Sequence, residues 1–120
     1  MTVERRVAPR ISERIQFAII EGATVIQAES KNLSTSGADC LIDKFIAPMT
    51  KLEVAFELPR KPHAVTIRST GVVVRIEPVV TANQRGQYFM AVFFSDLSTR
   101  DRESIAQFVR ERLALTGKTH

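Results

Sequence analysis

Apolar and polar positions alternate with a period of two along most of the chain up to Phe94, then switch to a helical period. Ile15 to Ile20 has strand character, Glu21 and Gly22 supply a turn, and Ala23 to Ala28 resumes the pattern, which together predict a hairpin. The polar stretch from Ser30 to Gly37 reads as a strand-linking loop, and Ala38 to Ile42 as the next strand. Leu52 to Leu58 alternates cleanly until Pro59 and Pro62 end it, and a long β-branched run from Ala64 to Ile76 completes a second hairpin. Pro78 to Gly86 reads as a flexible loop. Gln87 to Phe94 is so continuously apolar that both its faces are expected to be covered at the centre of the fold. Ile105, Phe108, Val109 and Leu113 then recur at helical spacing, with Ser98 as the N-cap and Asp101 and Glu103 in the acid-favouring first turns. About six strands followed by one amphipathic helix, without βαβ alternation, predict a mainly β protein built as a small antiparallel barrel.

Length and composition narrow this further. The 120 residues suit one folding unit, and 44% hydrophobic with 25% charged residues is an ordinary globular balance. The expected division is an arginine-rich, flexible arm over 1–14, the barrel over 15–97 and the helix over 98–116. The first residues lack the apolar core of a secretion signal and no apolar run approaches membrane-spanning length, so a cytoplasmic location is expected. The one cysteine, Cys40, forms no internal disulfide, and His63 and His120 stand too far apart for a recognisable metal-ligand spacing. Seventeen basic against thirteen acidic residues give a net charge of +4, which suits a phosphate-bearing ligand. The distribution is more telling than the total, because Arg5, Arg6, Arg10 and Arg14 all fall in the first fourteen residues.

Two clusters carry the candidate chemistry. Arg6 and Arg10 are separated by three residues, and Pro9 biases Ala8 toward extended geometry. At ~3.1 Å per residue their Cα atoms would lie roughly 12 Å apart, a reach suited to a bulky anionic ligand. An arginine fork pairs with a phosphate or with the O6 and N7 edge of guanine, and its plane stacks on purines. In the second cluster, Asn32 can accept from a guanine N–H, Ser34 can bond a base or phosphate, and Gly37 permits close backbone approach or a positive φ. No Ser-His-Asp or Cys-His arrangement can be assembled, so no catalytic residues are expected and the protein reads as a non-enzyme. Cys40 reads as a small buried residue, His63 as an exposed loop histidine, and the aromatics of Tyr88 to Phe94 as core.

With these residues in place the chain resembles the PilZ domains, bacterial receptors for the second messenger cyclic di-GMP. Arg6 and Arg10, with Arg5 as an extra arginine, match the family's first signature. Asn32, Ser34 and Gly37 match its second, an Asp or Asn, any residue, Ser, two of any residue and Gly. Leu58-Pro59, Gly71 to Arg75 and Val92 to Leu97 also look like the family pattern. The resemblance implies a six-stranded antiparallel barrel with a C-terminal helix, and a ligand-binding set of Arg5, Arg6, Arg10, Asn32, Ser34 and Gly37; Arg75 is open to two readings, a further ligand contact from its strand or a solvated barrel residue. It also implies no cofactor beyond the ligand, and regulation of a partner protein in motility, exopolysaccharide production or biofilm control. Asn32 departs from the commoner aspartate, which removes a charge and a carboxylate oxygen, and Ala91 stands where many members carry glycine.

Two other readings remain open from the sequence. One is an adaptor that keeps the fold but does not bind nucleotide, which the intact arginine pair disfavours. The other is a nucleic-acid-binding barrel suggested by the basic arm, against which Arg100, Arg102, Arg110 and Arg112 are interspersed with Asp101, Glu103 and Glu111 and form no continuous basic stripe.

Overall fold

The structure, a computed structural model, describes residues 9–60, 62–80 and 86–117, with the side chains of 116 and 117 left out. The strands are β1 (Arg10–Ile11), β2 (Gln16–Glu21), β3 (Thr24–Ser34), β4 (Gly37–Ile42), β5 (Lys51–Leu58), β6 (Val65–Pro78) and β7 (Tyr88–Phe94), followed by the helix α1 (Thr99–Gly117). All pairings are antiparallel. The strand order β3-β2-β5-β6-β7-β4 returns to β3, so six strands close into a barrel and β1 adds a short outer strand to β3. Closure removes the free edges that a six-stranded open sheet would present.

Local chemistry explains the main elements. Gly22, with φ 62°, takes the first central position of the two-residue β2–β3 hairpin, where a side chain would be strained. In β5 the alternation is realised as predicted: Leu52, Val54, Phe56 and Leu58 face inward while Lys51, Glu53 and Glu57 face out. Inside, Phe17 and Phe56 stack with ring centroids 4.2 Å apart and Phe94 packs beyond Phe56 at 5.9 Å. Ile19, Val54, Ile67, Val73 and Met90 fill the remaining interior, and Ile105, Phe108 and Val109 lay the apolar stripe of α1 on this same core. Ser98 Oγ accepts from the Asp101 N–H at 3.0 Å, so the helix opens at the cap the sequence indicates.

Three readings are corrected. The segment from Ser30 to Ser34 is strand, not loop, and only Thr35 and Ser36 separate β3 from β4. Its polar residues mislead because their hydrogen bonds are made inside the fold: buried Ser30 Oγ accepts from the Ile15 N–H and donates to the Glu13 carbonyl. Secondly, β7 is covered on one face only. Met90, Val92 and Phe94 point inward, while Phe89 and Phe93 are 43% and 48% exposed, so the continuous apolar run hides an ordinary alternation. Thirdly, Leu113 is 38% exposed and lies outside the core that Ile105, Phe108 and Val109 join.

One turn holds strain. Ala47, Pro48, Met49 and Thr50 form a turn closed by the Thr50 N–H to Ala47 carbonyl bond, with proline second and Met49 third at φ 72°. That position in a type II turn favours glycine. Met49 is 74% exposed and has little packing to lose. Met49→Gly is expected to stabilise the protein by about 0.5–1 kcal/mol, the relief of the left-handed conformation less the added freedom of the unfolded chain. Thermal melting checks this, and a lowered midpoint would show that the Met49 side chain contributes more than the turn costs.

Candidate functional site

Arg10, the described member of the first cluster, meets the second cluster at the β1–β3 pairing. Arg10 lies opposite Ser34 and Ile11 opposite Leu33, which brings the end of the arm alongside the second cluster. The Arg10 guanidinium donates to Asn32 Oδ1 at 2.7 Å. Asn32 Nδ2 in turn donates to Asp39 Oδ2 at 2.9 Å, and the Arg10 guanidinium lies 3.6 Å from that same oxygen. Arginine can only donate and an ionised carboxylate only accept, so the orientation of the amide between them is fixed. Both charged side chains are about one-third exposed, at 38% for Arg10 and 35% for Asp39, so this polar chain is open to solvent.

Ser34 and Gly37 play different parts in this arrangement. Ser34 is buried, and its Oγ accepts from the Ser36 N–H at 3.1 Å and lies 2.9 Å from Ser36 Oγ, so it organises the tight β3–β4 connection. Ser36 is the less buried hydroxyl of the two. At Gly37 the close-approach alternative applies: a Cβ there would lie against the Val92 carbonyl oxygen, and the φ is not positive. Arg5 and Arg6 lie outside the described residues. The Arg102 guanidinium reaches the Thr35 carbonyl at 3.3 Å, and Arg112 pairs with Glu13 at 2.8 Å while lying 4.4 Å over the Phe108 ring. The helix therefore braces both the segment entering β2 and the β3–β4 connection.

Arg75 joins the same surface from the far side. A bulge between Val73 and Arg75 sets Arg75 opposite Ala91, which is itself opposite Asp39, which is opposite Asn32. Directly paired residues share a face, so Asn32, Asp39, Ala91 and Arg75 form one outward row across β3, β4, β7 and β6. A pocket of about 180 Å³ lies on this row, lined by Asp39, Arg75, Glu77, Phe89, Met90 and Ala91. Asp39 is the residue that sequence reasoning missed. Its only signal was an acid on the strand after Gly37, and its position beside Asn32 depends on a register shifted by the bulge between Ser30 and Asn32.

Cys40, next to Asp39, is fully buried, and its thiol is pushed up to about 12 by burial and then by the neighbouring carboxylate. It stays protonated and inert near neutrality. Among the described residues no group of three or more His, Cys, Asp or Glu is placed to hold a metal ion, and no helix is long and apolar enough to cross a membrane.

The protein is a closed six-stranded antiparallel barrel with a terminal helix, and it carries an arginine and an amide together on its outer face beside the short strand β1. The chain belongs to the PilZ domain family, whose model matches residues 4–111. Among solved structures it is similar to the Bacillus subtilis inhibitor of motility MotI/DgrA, with a TM-score of 0.82 and 20% identity over 93% of this chain; the match spans about half, 53%, of that protein. It is also similar to the PilZ domain of YcgR from Escherichia coli, solved with c-di-GMP, with a TM-score of 0.65 and 14% identity over 95% of this chain and 98% of that one. At these identities the neighbours establish the fold alone. No curated protein matches the chain.

Proposed function

We propose that this protein is a non-catalytic receptor for cyclic di-GMP and that ligand capture regulates a partner protein. The observation that carries the reading is the 2.7 Å contact between Arg10 and Asn32, one residue from each of two motifs twenty-two positions apart. The β1–β3 pairing thereby sets a guanidinium beside an amide on an exposed face, and the guanidinium suits a phosphate or a base edge. Arg5, Arg6 and Arg10 supply the arm's charge, Asn32 with its cross-strand neighbour Asp39 the barrel-side surface, and Ser34 and Gly37 the shape of the connection that holds Asn32 in place. Membership of the PilZ family and the likeness to a YcgR domain solved with c-di-GMP support the choice of ligand. The likeness to an inhibitor of motility makes motility the favoured process over exopolysaccharide or biofilm control.

One observation favours the adaptor reading: Asp39 already occupies both Arg10 and Asn32, so the protein supplies an anion to its own site. Isothermal titration with cyclic di-GMP, with GTP and cyclic di-AMP as controls, separates the two. Saturable heat with cyclic di-GMP alone is expected, with stabilisation of about 2.7 kcal/mol at a hundredfold excess over Kd. Absence of heat and of any thermal shift well above micromolar ligand would leave the adaptor reading standing.

A further inference from the structure

Guanine presents two adjacent donors, N1–H and N2–H, which a carboxylate accepts with its two oxygens. Asn32 is poorly suited to that edge in this structure. It offers a single acceptor atom, which takes the Arg10 guanidinium in the free protein, and its NH₂ group donates to Asp39, so of two adjacent arriving donors one would face another donor. Asp39 lies directly opposite Asn32, and both of its contacts with Arg10 and Asn32 fall on Oδ2.

The row beyond Asp39 suits a purine. Strand spacing of about 4.8 Å puts the backbones at Asp39 and Arg75 roughly 10 Å apart, two spacings with only the Ala91 methyl between them. An acceptor wall at Asp39 and a donor fork at Arg75 match a base that has N1–H and N2–H on one edge and O6 and N7 on another. Adenine carries an unprotonated N1 on the corresponding edge, which faces a carboxylate unfavourably. Half-exposed Phe89 gives the same pocket an apolar wall for the ring.

We propose that Asp39, rather than Asn32, is the carboxylate that reads the guanine base, over a floor made by Ala91 and with Arg75 facing it. This rests on the cyclic di-GMP reading and assigns the base-specific contact within it. Asn32 is then a positioning residue: it donates to Asp39 while accepting from Arg10, a relay that an aspartate at 32 would replace by two carboxylates in contact. The departure at Asn32 and the acid at Asp39 form a matched pair.

The test is titration of the full chain with cyclic di-GMP and with cyclic di-inosine monophosphate, which lacks the 2-amino group. Wild type is expected to prefer the guanine ligand by about tenfold or more. Asp39→Asn is expected to weaken cyclic di-GMP binding on the order of ten- to a hundredfold and to erase the preference, whereas Asn32→Ala weakens both ligands and keeps it. A preference that survives Asp39→Asn, or cyclic di-GMP binding as tight as or tighter than wild type in that variant, overturns the assignment. Wild type that binds neither ligand overturns the receptor reading itself, and this assignment with it. Should Asp39→Asn fail to fold by thermal melting, Ala91→Leu leaves the carboxylate in place and fills the floor: loss of cyclic di-GMP binding in a folded Ala91→Leu protein supports the pocket, and unchanged binding overturns it.

Discussion

Gly37→Ala is expected to destabilise the protein by about 3 kcal/mol or more and to lower its melting midpoint by roughly 10 °C or more. A methyl at this position would collide with the Val92 carbonyl oxygen, and it would also lie 3.1 Å from the Val92 carbonyl carbon and 3.3 Å from the Phe93 Cα. All three are backbone atoms of β7, so no rotamer change relieves the contact and β4 must move away from its partner strand. The Phe94 N–H to Ser36 carbonyl bond at 2.9 Å, which ties β7 to the β3–β4 connection, would be strained by the same movement. Gly71 is the useful comparison: a methyl there meets the Val92 Cγ1 side-chain atom at 2.6 Å, where part of the strain can be taken up by side-chain repacking. Thermal and chemical denaturation of both variants measure the difference. A Gly37→Ala protein as stable as wild type would show that β4 and β7 are not held as close as described, and the role given to Gly37 in shaping the site would go with it.

The barrel was legible because most of its strands announce themselves through alternation, as in Leu52 to Leu58, and because Gly22, Pro59 and Pro62 punctuate them where the backbone needs it. What misled was composition at two places. Ser30, Asn32 and Ser34 look like loop residues, yet the hydroxyls of both serines are satisfied inside the fold, and a strand tolerates buried polar groups on that condition. Phe89 and Phe93 look like core, yet they stand on the outward face, where aromatic residues are a cue to contact with something other than the protein's own interior. Arg10, Asn32, Ser34 and Gly37 were identified as candidates from their spacing. The partnership of Asn32 with Asp39 was not, because cross-strand neighbours depend on register and on a bulge, and neither is written in local sequence. The same bulge logic placed Arg75 on the row: without the extra residue after Val73 its side chain would have fallen on the opposite face.

Arg10→Ala is expected to cost at least about a hundredfold in cyclic di-GMP affinity, some 2.7 kcal/mol, while moving the ligand-free stability by less than about 1 kcal/mol. The asymmetry follows from where the side chain sits. In the free protein its partners, Asn32 and Asp39, are themselves part-exposed, and water replaces much of what the guanidinium provides. In a complex the same group would face a phosphate or a purine edge in a charge-assisted, partly desolvated contact, and truncation there leaves the ligand's charge unpaired. Arg10→Lys separates charge from shape: it keeps the cation but loses the planar fork, so an affinity between wild type and Arg10→Ala is expected, with a larger share of the remaining binding lost at raised salt. Titration at two salt concentrations, paired with melting of the ligand-free proteins, reads both quantities. If Arg10→Ala bound cyclic di-GMP as well as wild type, the 2.7 Å contact with Asn32 would be a fold contact only; if it failed to fold, β1 would be a structural strand first and an arm for the ligand second.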